Sequence, residues 1–145
     1  MKKALILLVL VIGAASMFAL PLNPGQMQVN AGTGVGWGLP LYVGVDYGIT
    51  PDITVGGEAT VYFWGGTYFS VVANGNYHFV NLLNLPSNTD LYAGLSLGVN
   101  SWYSSWLNLY GQVGGRYYFT DRLGANLEFN GGRHSGAKIG ITYKL

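Results

Sequence analysis

Eight consecutive segments of this chain alternate between apolar residues and polar or small ones. The segment 136–145 shows the pattern most clearly, with apolar residues at every second position: Ala137, Ile139, Ile141, Tyr143 and Leu145. A period of two places successive side chains on opposite faces of a β-strand. The sequence therefore predicts an all-β fold whose strands each have two chemically different faces.

Short breaks with turn-forming residues separate the predicted strands, and all five prolines lie in these breaks or ahead of the first strand. The strands are placed, to within about two to four residues, at 26–38, 41–49, 53–64, 67–79, 90–102, 106–119, 122–132 and 136–145. The longest break is Asn81–Thr89. An even number of antiparallel strands lets the first pair with the last, and this pairing closes the sheet into a barrel.

Composition decides which face of this barrel meets solvent. Charged residues make up 9% of the chain and hydrophobic residues 50%, whereas soluble domains carry about 25% charged residues. A solvated surface cannot be built from so few charges. Strands of ~10 residues also match a tilted crossing of the hydrocarbon layer. We therefore predict an eight-stranded antiparallel up-and-down transmembrane β-barrel, with its apolar face toward lipid.

Outward-facing aromatic residues support this interpretation because they gather toward the strand ends. One group consists of Trp37, Phe63, Phe69 and Phe129, and the other of Tyr47, Tyr77, Phe79, Tyr117, Phe119 and Tyr143. Two such girdles are expected at the two membrane–water interfaces.

The N-terminal residues have the features of a secretory signal peptide. Lys2 and Lys3 precede an apolar core from Ala4 to Ile12, and small residues follow. A membrane anchor is the alternative, but this apolar run is short for a spanning helix. We expect a signal peptide at 1–19, cleaved after Ser16 or Ala19, an extended lead-in at 20–25 and the barrel domain at 26–145. The chain has no cysteine, so it can form no disulfide.

Two stretches resemble a known family: Gly114 to Leu145 (GGRYYFTDRLGANLEFNGGRHSGAKIGITYKL) and Asn76 to Asn100 (NYHFVNLLNLPSNTDLYAGLSLGVN). They are similar to the OmpA/OmpX-like "porin family" of small outer-membrane β-barrels in Gram-negative bacteria, and nearest to its Bacteroidetes-type members. The resemblance implies an outer-membrane location and insertion by the barrel-assembly machinery with periplasmic chaperones. Since the number of strands is even, both chain ends lie on one side of the membrane, which we expect to be the periplasmic side.

The family resemblance also implies an insertion signal in the last strand. Family members usually end in Phe, the residue that the assembly machinery reads, whereas this chain ends in Leu145. The residues that keep the pattern of the signal are Ile139, Ile141, Tyr143 and Leu145.

Charged residues on the inward face must be paired, because an eight-stranded barrel leaves room only for side chains and an isolated charge there is costly. The predicted interior charge network consists of Asp46, Glu58, Arg116, Glu128 and Lys138. The hairpin at Thr120 to Arg122 places Arg116 roughly diagonal to Glu128 on the adjacent strand. The network is interpreted as a polar core that fixes the strand register, with a gated, narrow ion path as the alternative.

An inward aromatic rim is predicted near the outer mouth, from Tyr42, Trp64, Tyr68, Trp102 and Trp106. These rings either plug the lumen or form a site for an apolar or sugar ligand, since aromatic faces suit both.

The sequence gives little indication of a catalytic site. His78 faces inward, but Ser70 on the same strand is about 26 Å away at ordinary strand rise, and His134-Ser135 in a turn has no evident acid partner. No spacing suggests a metal or cofactor, and no basic stretch suggests nucleic acid. We expect a monomeric, non-enzymatic barrel with a structural role, a closed lumen and membrane lipids as partners. A narrow channel or a carrier of a small apolar ligand is the alternative, and a lipid-modifying enzyme is a third.

Overall fold

The computed structural model describes residues 22–35, 39–101, 107–132 and 136–145. It contains eight strands: β1 (Met27–Val35), β2 (Leu41–Thr50), β3 (Ile53–Phe63), β4 (Thr67–His78), β5 (Thr89–Asn100), β6 (Asn108–Tyr118), β7 (Leu123–Gly132) and β8 (Gly136–Lys144). Each strand pairs antiparallel with its neighbours in sequence, and β1 also pairs with β8, so the sheet is a closed barrel. The predicted fold class is confirmed. No helix among these residues is long and apolar enough to cross a bilayer.

Tight turns join several strands, and their residues explain why the chain reverses there. Gly65, between β3 and β4, adopts φ +63°, which favours a residue without Cβ. Between β6 and β7, the Thr120 hydroxyl accepts hydrogen bonds from the backbone N–H groups of Arg122 (3.3 Å) and Leu123 (2.9 Å). Such side-chain bonds stabilise turns. We name the two ends of the barrel after residues in their turns: the Asp52 end holds the β2–β3, β4–β5 and β6–β7 connections, and the Trp64 end holds the others.

The barrel is apolar outside and polar inside. Leu95, Leu109 and Ile141 on the outer face are 60%, 61% and 58% exposed, whereas Gln28 and Thr142 on the inner face are fully buried. A water-soluble barrel has the opposite distribution. The odd-numbered residues face outward in every strand, because the turns preserve the alternation.

The outward aromatic residues lie in two groups at opposite ends. At the Trp64 end, Phe63, Phe69 and Phe129 are between 53% and 55% exposed. At the Asp52 end, the exposed rings are those of Tyr47, Tyr77, Tyr117, Phe119 and Tyr143, beside the partly exposed Phe79. The predicted Trp37 lies outside the described residues. Two belts of this kind mark the interfaces of transmembrane barrels.

The seam between β1 and β8 is closely packed. Its register runs from Gln28 opposite Lys144 to Val35 opposite Ala137, and places Gly32 opposite Gly140. A Cβ atom on either glycine would overlap backbone atoms of the other strand. The last strand therefore closes against β1, as predicted, and the absence of side chains at this pair lets the two backbones approach.

Candidate functional site

The lumen contains two clusters of charged side chains, one around Arg116 and one around Lys138. In the Arg116 cluster, the guanidinium donates from Nη2 to Asp46 Oδ2 at 2.6 Å and from Nη1 to Asp90 Oδ2 at 3.2 Å. Arg116 lies on β6 and Asp46 on β2, which is four strands away in the eight-stranded barrel. The pair therefore spans the lumen, and the guanidinium also lies over the Tyr92 ring, 4.4 Å from its centroid.

A histidine extends the Arg116 cluster toward the Asp52 end. His78 Nδ1 lies 2.8 Å from Asp90 Oδ1, and His78 Nε2 lies 2.9 Å from the Thr54 hydroxyl. Because a carboxylate only accepts hydrogen bonds, Nδ1 carries the proton and donates it. His78, Thr54 and Asp90 are each at most 2% exposed, so the three groups form a buried hydrogen-bonded chain.

The Lys138 cluster joins three strands. Lys138 Nζ, on β8, lies 2.7 Å from Glu58 Oε2 on β3 and 2.8 Å from Glu128 Oε1 on β7. The Tyr92 hydroxyl donates to Glu128 Oε2 at 2.8 Å. Since Tyr92 also contacts Arg116, its side chain links the two clusters.

Neutral side chains add further links across the lumen. The Tyr42 hydroxyl on β2 donates to Asn126 Oδ1 on β7 at 2.7 Å, and the Tyr118 hydroxyl on β6 donates to Gln28 Oε1 on β1 at 2.5 Å. Asn30 Nδ2 donates to Asp46 Oδ2 at 2.8 Å. These pairs of buried polar side chains therefore satisfy one another across the barrel, which a low-dielectric interior favours.

All five residues of the predicted charge network face the lumen, but they are paired differently from the expectation. Glu128 is diagonal to Arg116, because it lies opposite Gly114 on β6, yet it contacts Lys138 and not Arg116. Asp90 is a further member that the sequence did not predict. Asp90 lies directly opposite Arg116 in the β5–β6 register, and it has the even-numbered position of an inward residue. Because Asp90 lies at the start of β5, beside the longest break, its register with β6 could not be predicted from the sequence.

The residues of the predicted aromatic rim lie in different environments. Tyr42 is inside the lumen and 6% exposed, while Tyr68 is 36% exposed. Trp64 follows the end of β3 and is 66% exposed, so it does not fill the lumen. Trp102 and Trp106 lie outside the described residues.

The four residues of the predicted insertion signal, in contrast, share one environment. They all face outward, with Ile139 51%, Ile141 58%, Tyr143 43% and Leu145 62% exposed. Their exposure makes them accessible to another chain or to lipid along the outer side of β8.

Thr54, His78 and Asp90 follow the hydroxyl–imidazole–carboxylate order of an acyl-transfer triad. Their burial opposes that chemistry, because the Thr54 hydroxyl is enclosed and a substrate carbonyl must reach it. Asp90 is also held by Arg116. His134 and Ser135 lie outside the described residues. Within the described ranges, no group of three or more His, Cys, Asp or Glu residues could hold a metal ion.

Side chains fill the described lumen in its middle and at the Asp52 end. A polar cavity of about 20 Å³ lies between the two clusters, bordered by Arg116, Glu128 and Lys138, and a cavity of this size holds about one water molecule. At the Asp52 end, Leu22 is 2% and Val80 is 6% exposed. Leu22 packs against Gly48 on the inner face of β2. The described interior therefore has the properties of a filled core.

The fold is that of the small eight-stranded transmembrane β-barrels. A de novo designed transmembrane β-barrel superposes with a TM-score of 0.70 at 15% identity, covering 87% of this chain and all of the design. The N-terminal β-barrel domain of Pseudomonas aeruginosa OprF gives 0.67 at 15% identity, covering 86% of this chain and all of that domain. Neisserial surface protein A (NspA) gives 0.58 at 16% identity, covering 83% of this chain and 95% of its own.

At the level of sequence, no protein-family model matches this chain, and no curated protein matches it. The similarity therefore concerns the architecture: a closed eight-stranded barrel with a lipid-type outer face and a polar, filled interior.

Proposed function

We propose that the chain is an integral protein of the outer membrane of a Gram-negative bacterium and contributes structurally to that membrane. Two features support a membrane location. The outer face is apolar around the whole barrel, and closure leaves no unpaired strand edge, which a spanning β-structure requires. The natural barrels that it resembles in fold include the OprF barrel domain and NspA.

One observation carries the structural role: Arg116 binds Asp46 across the lumen and Asp90 on the neighbouring strand, while each of the three is at most 5% exposed. An ion crossing the barrel would have to break this cluster and the Lys138 cluster in turn. Breaking a buried pair costs about 3–5 kcal/mol. The interior therefore supports a barrel that is braced by its charges and does not conduct.

The proposal includes the route by which the protein reaches the membrane. A signal peptide at 1–19 directs export and is cleaved after Ser16 or Ala19, and the barrel-assembly machinery inserts the chain as a monomer. The Asp52 end then faces the periplasm. A relationship to Bacteroidetes-type barrels belongs to this proposal as well.

Connections at the Trp64 end are short, which opposes a role that depends on protruding loops. The four connections at this end comprise residues 36–40, 64–66, 101–107 and 133–135. Such connections leave little chain to reach beyond the lipid headgroups. We therefore place the function in the barrel and its contacts with lipid.

Planar-bilayer recordings test the closed lumen. We expect membranes that contain the folded barrel to show no stable single-channel steps, with insertion verified by protease protection in the same membranes. Reproducible steps would contradict the closed-lumen proposal and favour the narrow-channel alternative. A hydrolase assay on phospholipids addresses the third possibility, and the buried Thr54 predicts no turnover.

A further inference from the structure

The β4–β5 connection, residues 79–88, differs in chemistry from its neighbours at the Asp52 end. It contains no charged residue. The β2–β3 connection, in contrast, contains Asp52, and the β6–β7 connection contains Asp121 and Arg122. Charged residues are mostly exposed to water, so the absence of charge sets this connection apart from its two neighbours.

This connection is also held in a defined position. The backbone N–H of Phe79 donates to Leu91 O and that of Tyr118 donates to Asn88 O, both at 2.8 Å. The Asn81 side chain donates to Asp52 Oδ1 at 2.7 Å. Hydrogen bonds thus fix both ends of the connection and tie it to the β2–β3 turn.

Its apolar side chains point in two directions. Val80 is buried at 6% exposure, whereas Leu82 and Leu83 are 65% and 55% exposed. Because the backbone is held in place, the two leucines are exposed together at defined positions. Exposing them to water would cost free energy that a lipid environment removes.

Aromatic pairs of the outward girdle flank the connection on both sides. At the end of β4, the rings of Tyr77 and of Phe79, the first residue of the connection, make an edge contact with centroids 5.2 Å apart. At the end of β6, the Tyr117 and Phe119 rings do so at 5.6 Å. The connection ends at Thr89, which pairs with Tyr117. Aromatic rings at this level mark a membrane–water interface.

We propose that the β4–β5 connection is a membrane-interface anchor, which inserts Leu82 and Leu83 among the lipid headgroups and upper acyl chains at the Asp52 end. This inference rests on the proposed function, because it requires that the barrel spans a membrane. Continuity with the two aromatic pairs and the uncharged sequence favour lipid over a soluble partner or a second copy. The strength of binding at a membrane interface rises with the apolar area that is buried there.

The chain has no cysteine, so single-cysteine variants carry a fluorophore at one defined position. Leu82→Cys and Leu83→Cys report on the connection, Asp121→Cys on the neighbouring charged turn, and Leu95→Cys on the outer face of β5. Each labelled variant is folded into phosphatidylcholine vesicles that contain nitroxide-labelled lipid, and aqueous iodide is tested separately. We expect lipid quenching at positions 82 and 83 to exceed that at 121 several-fold, and iodide quenching to show the reverse order.

Each other outcome overturns the inference in a recognisable way. Equal lipid and iodide quenching at positions 82, 83 and 121, with strong lipid quenching at 95, would refute the anchor and leave the membrane barrel intact. Weak lipid quenching at 95 would refute the membrane barrel itself, and the anchor with it. Lipid quenching at 82 that falls as the protein-to-lipid ratio rises would instead identify a second copy as the occupant.

Discussion

Arg116 on β6 and Asp46 on β2 form a 2.6 Å ion pair between opposite sides of the barrel. Asp90 is held by the same guanidinium, so one cation compensates two buried carboxylates. Lys138 repeats this arrangement with Glu58 and Glu128. The two cations therefore act as cross-braces, and their removal should weaken the barrel more than any surface charge does.

The first prediction concerns Arg116→Met. This substitution keeps much of the side-chain volume but leaves Asp46 and Asp90 without their cation in a buried site. We expect the free energy of unfolding, measured by denaturant titration of the barrel in vesicles, to fall by about 3–5 kcal/mol. The gel mobility shift on heating should occur at a lower temperature.

Arg122→Met is the matched control, because Arg122 lies in the exposed β6–β7 turn. It should change the free energy of unfolding by no more than about 0.5 kcal/mol. Equal effects of the two substitutions would show that the Arg116 cluster does not brace the lumen.

The second prediction uses Tyr42→Phe to test a hydrogen bond between two uncharged side chains across the lumen. The Tyr42 hydroxyl donates to Asn126 Oδ1 at 2.7 Å, and both residues are buried. Removing the hydroxyl leaves the Asn126 oxygen without this donor, so we expect a loss of about 1–3 kcal/mol in the free energy of unfolding. Tyr47→Phe, on the outer face of the same strand, should have almost no effect. A loss of similar size at Tyr47 would contradict this explanation.

The fold follows from the sequence because the sequence signals that determine it are local. Alternation within a strand assigns each side chain to a face, as for Asp46 between the outward Val45 and Tyr47, and turn residues such as Pro51 mark the strand ends. The low charge content then decides which face meets lipid. Each of these signals lies within about ten residues of the feature that it predicts.

Pairing inside the lumen is not local, and for that reason the sequence did not predict it. Alternation shows that Arg116 faces inward, but its height relative to Asp46 depends on the tilt and stagger of all intervening strands. The pairing of Asp90 with Arg116 depends on the register across the β5–β6 connection. Thr54 and His78 lie on adjacent strands. Threonine is common in these strands, so its presence does not indicate a histidine partner.

The third prediction concerns the closing seam. A Cβ at Gly140 would overlap the backbone carbonyl oxygen of Ala31 and the Tyr42 hydroxyl, and neither the paired backbone nor the buried ring can move freely. Gly140→Ala should therefore lower the free energy of unfolding by about 1–3 kcal/mol. Gly131→Ala on β7 is the control, since nothing lies within 4 Å of its Cβ position. A neutral Gly140→Ala would show that the β1–β8 seam tolerates a wider separation.

The fourth prediction separates an insertion signal in β8 from the general cost of a charge facing lipid. Tyr143 and Tyr47 both face outward at the Asp52 end and are similarly exposed, at 43% and 42%. Tyr143→Asp and Tyr47→Asp therefore place a carboxylate in equivalent surroundings, where its cost near the interface is small, at about 0–1 kcal/mol. Both variants should refold into detergent micelles to the same extent. In cells, Tyr143→Asp should reduce the amount of folded barrel in the outer membrane several-fold more than Tyr47→Asp does, as measured by heat-modifiable mobility of membrane fractions. Equal amounts of the two folded variants would show that Tyr143 is an ordinary girdle residue and not part of the signal that directs assembly.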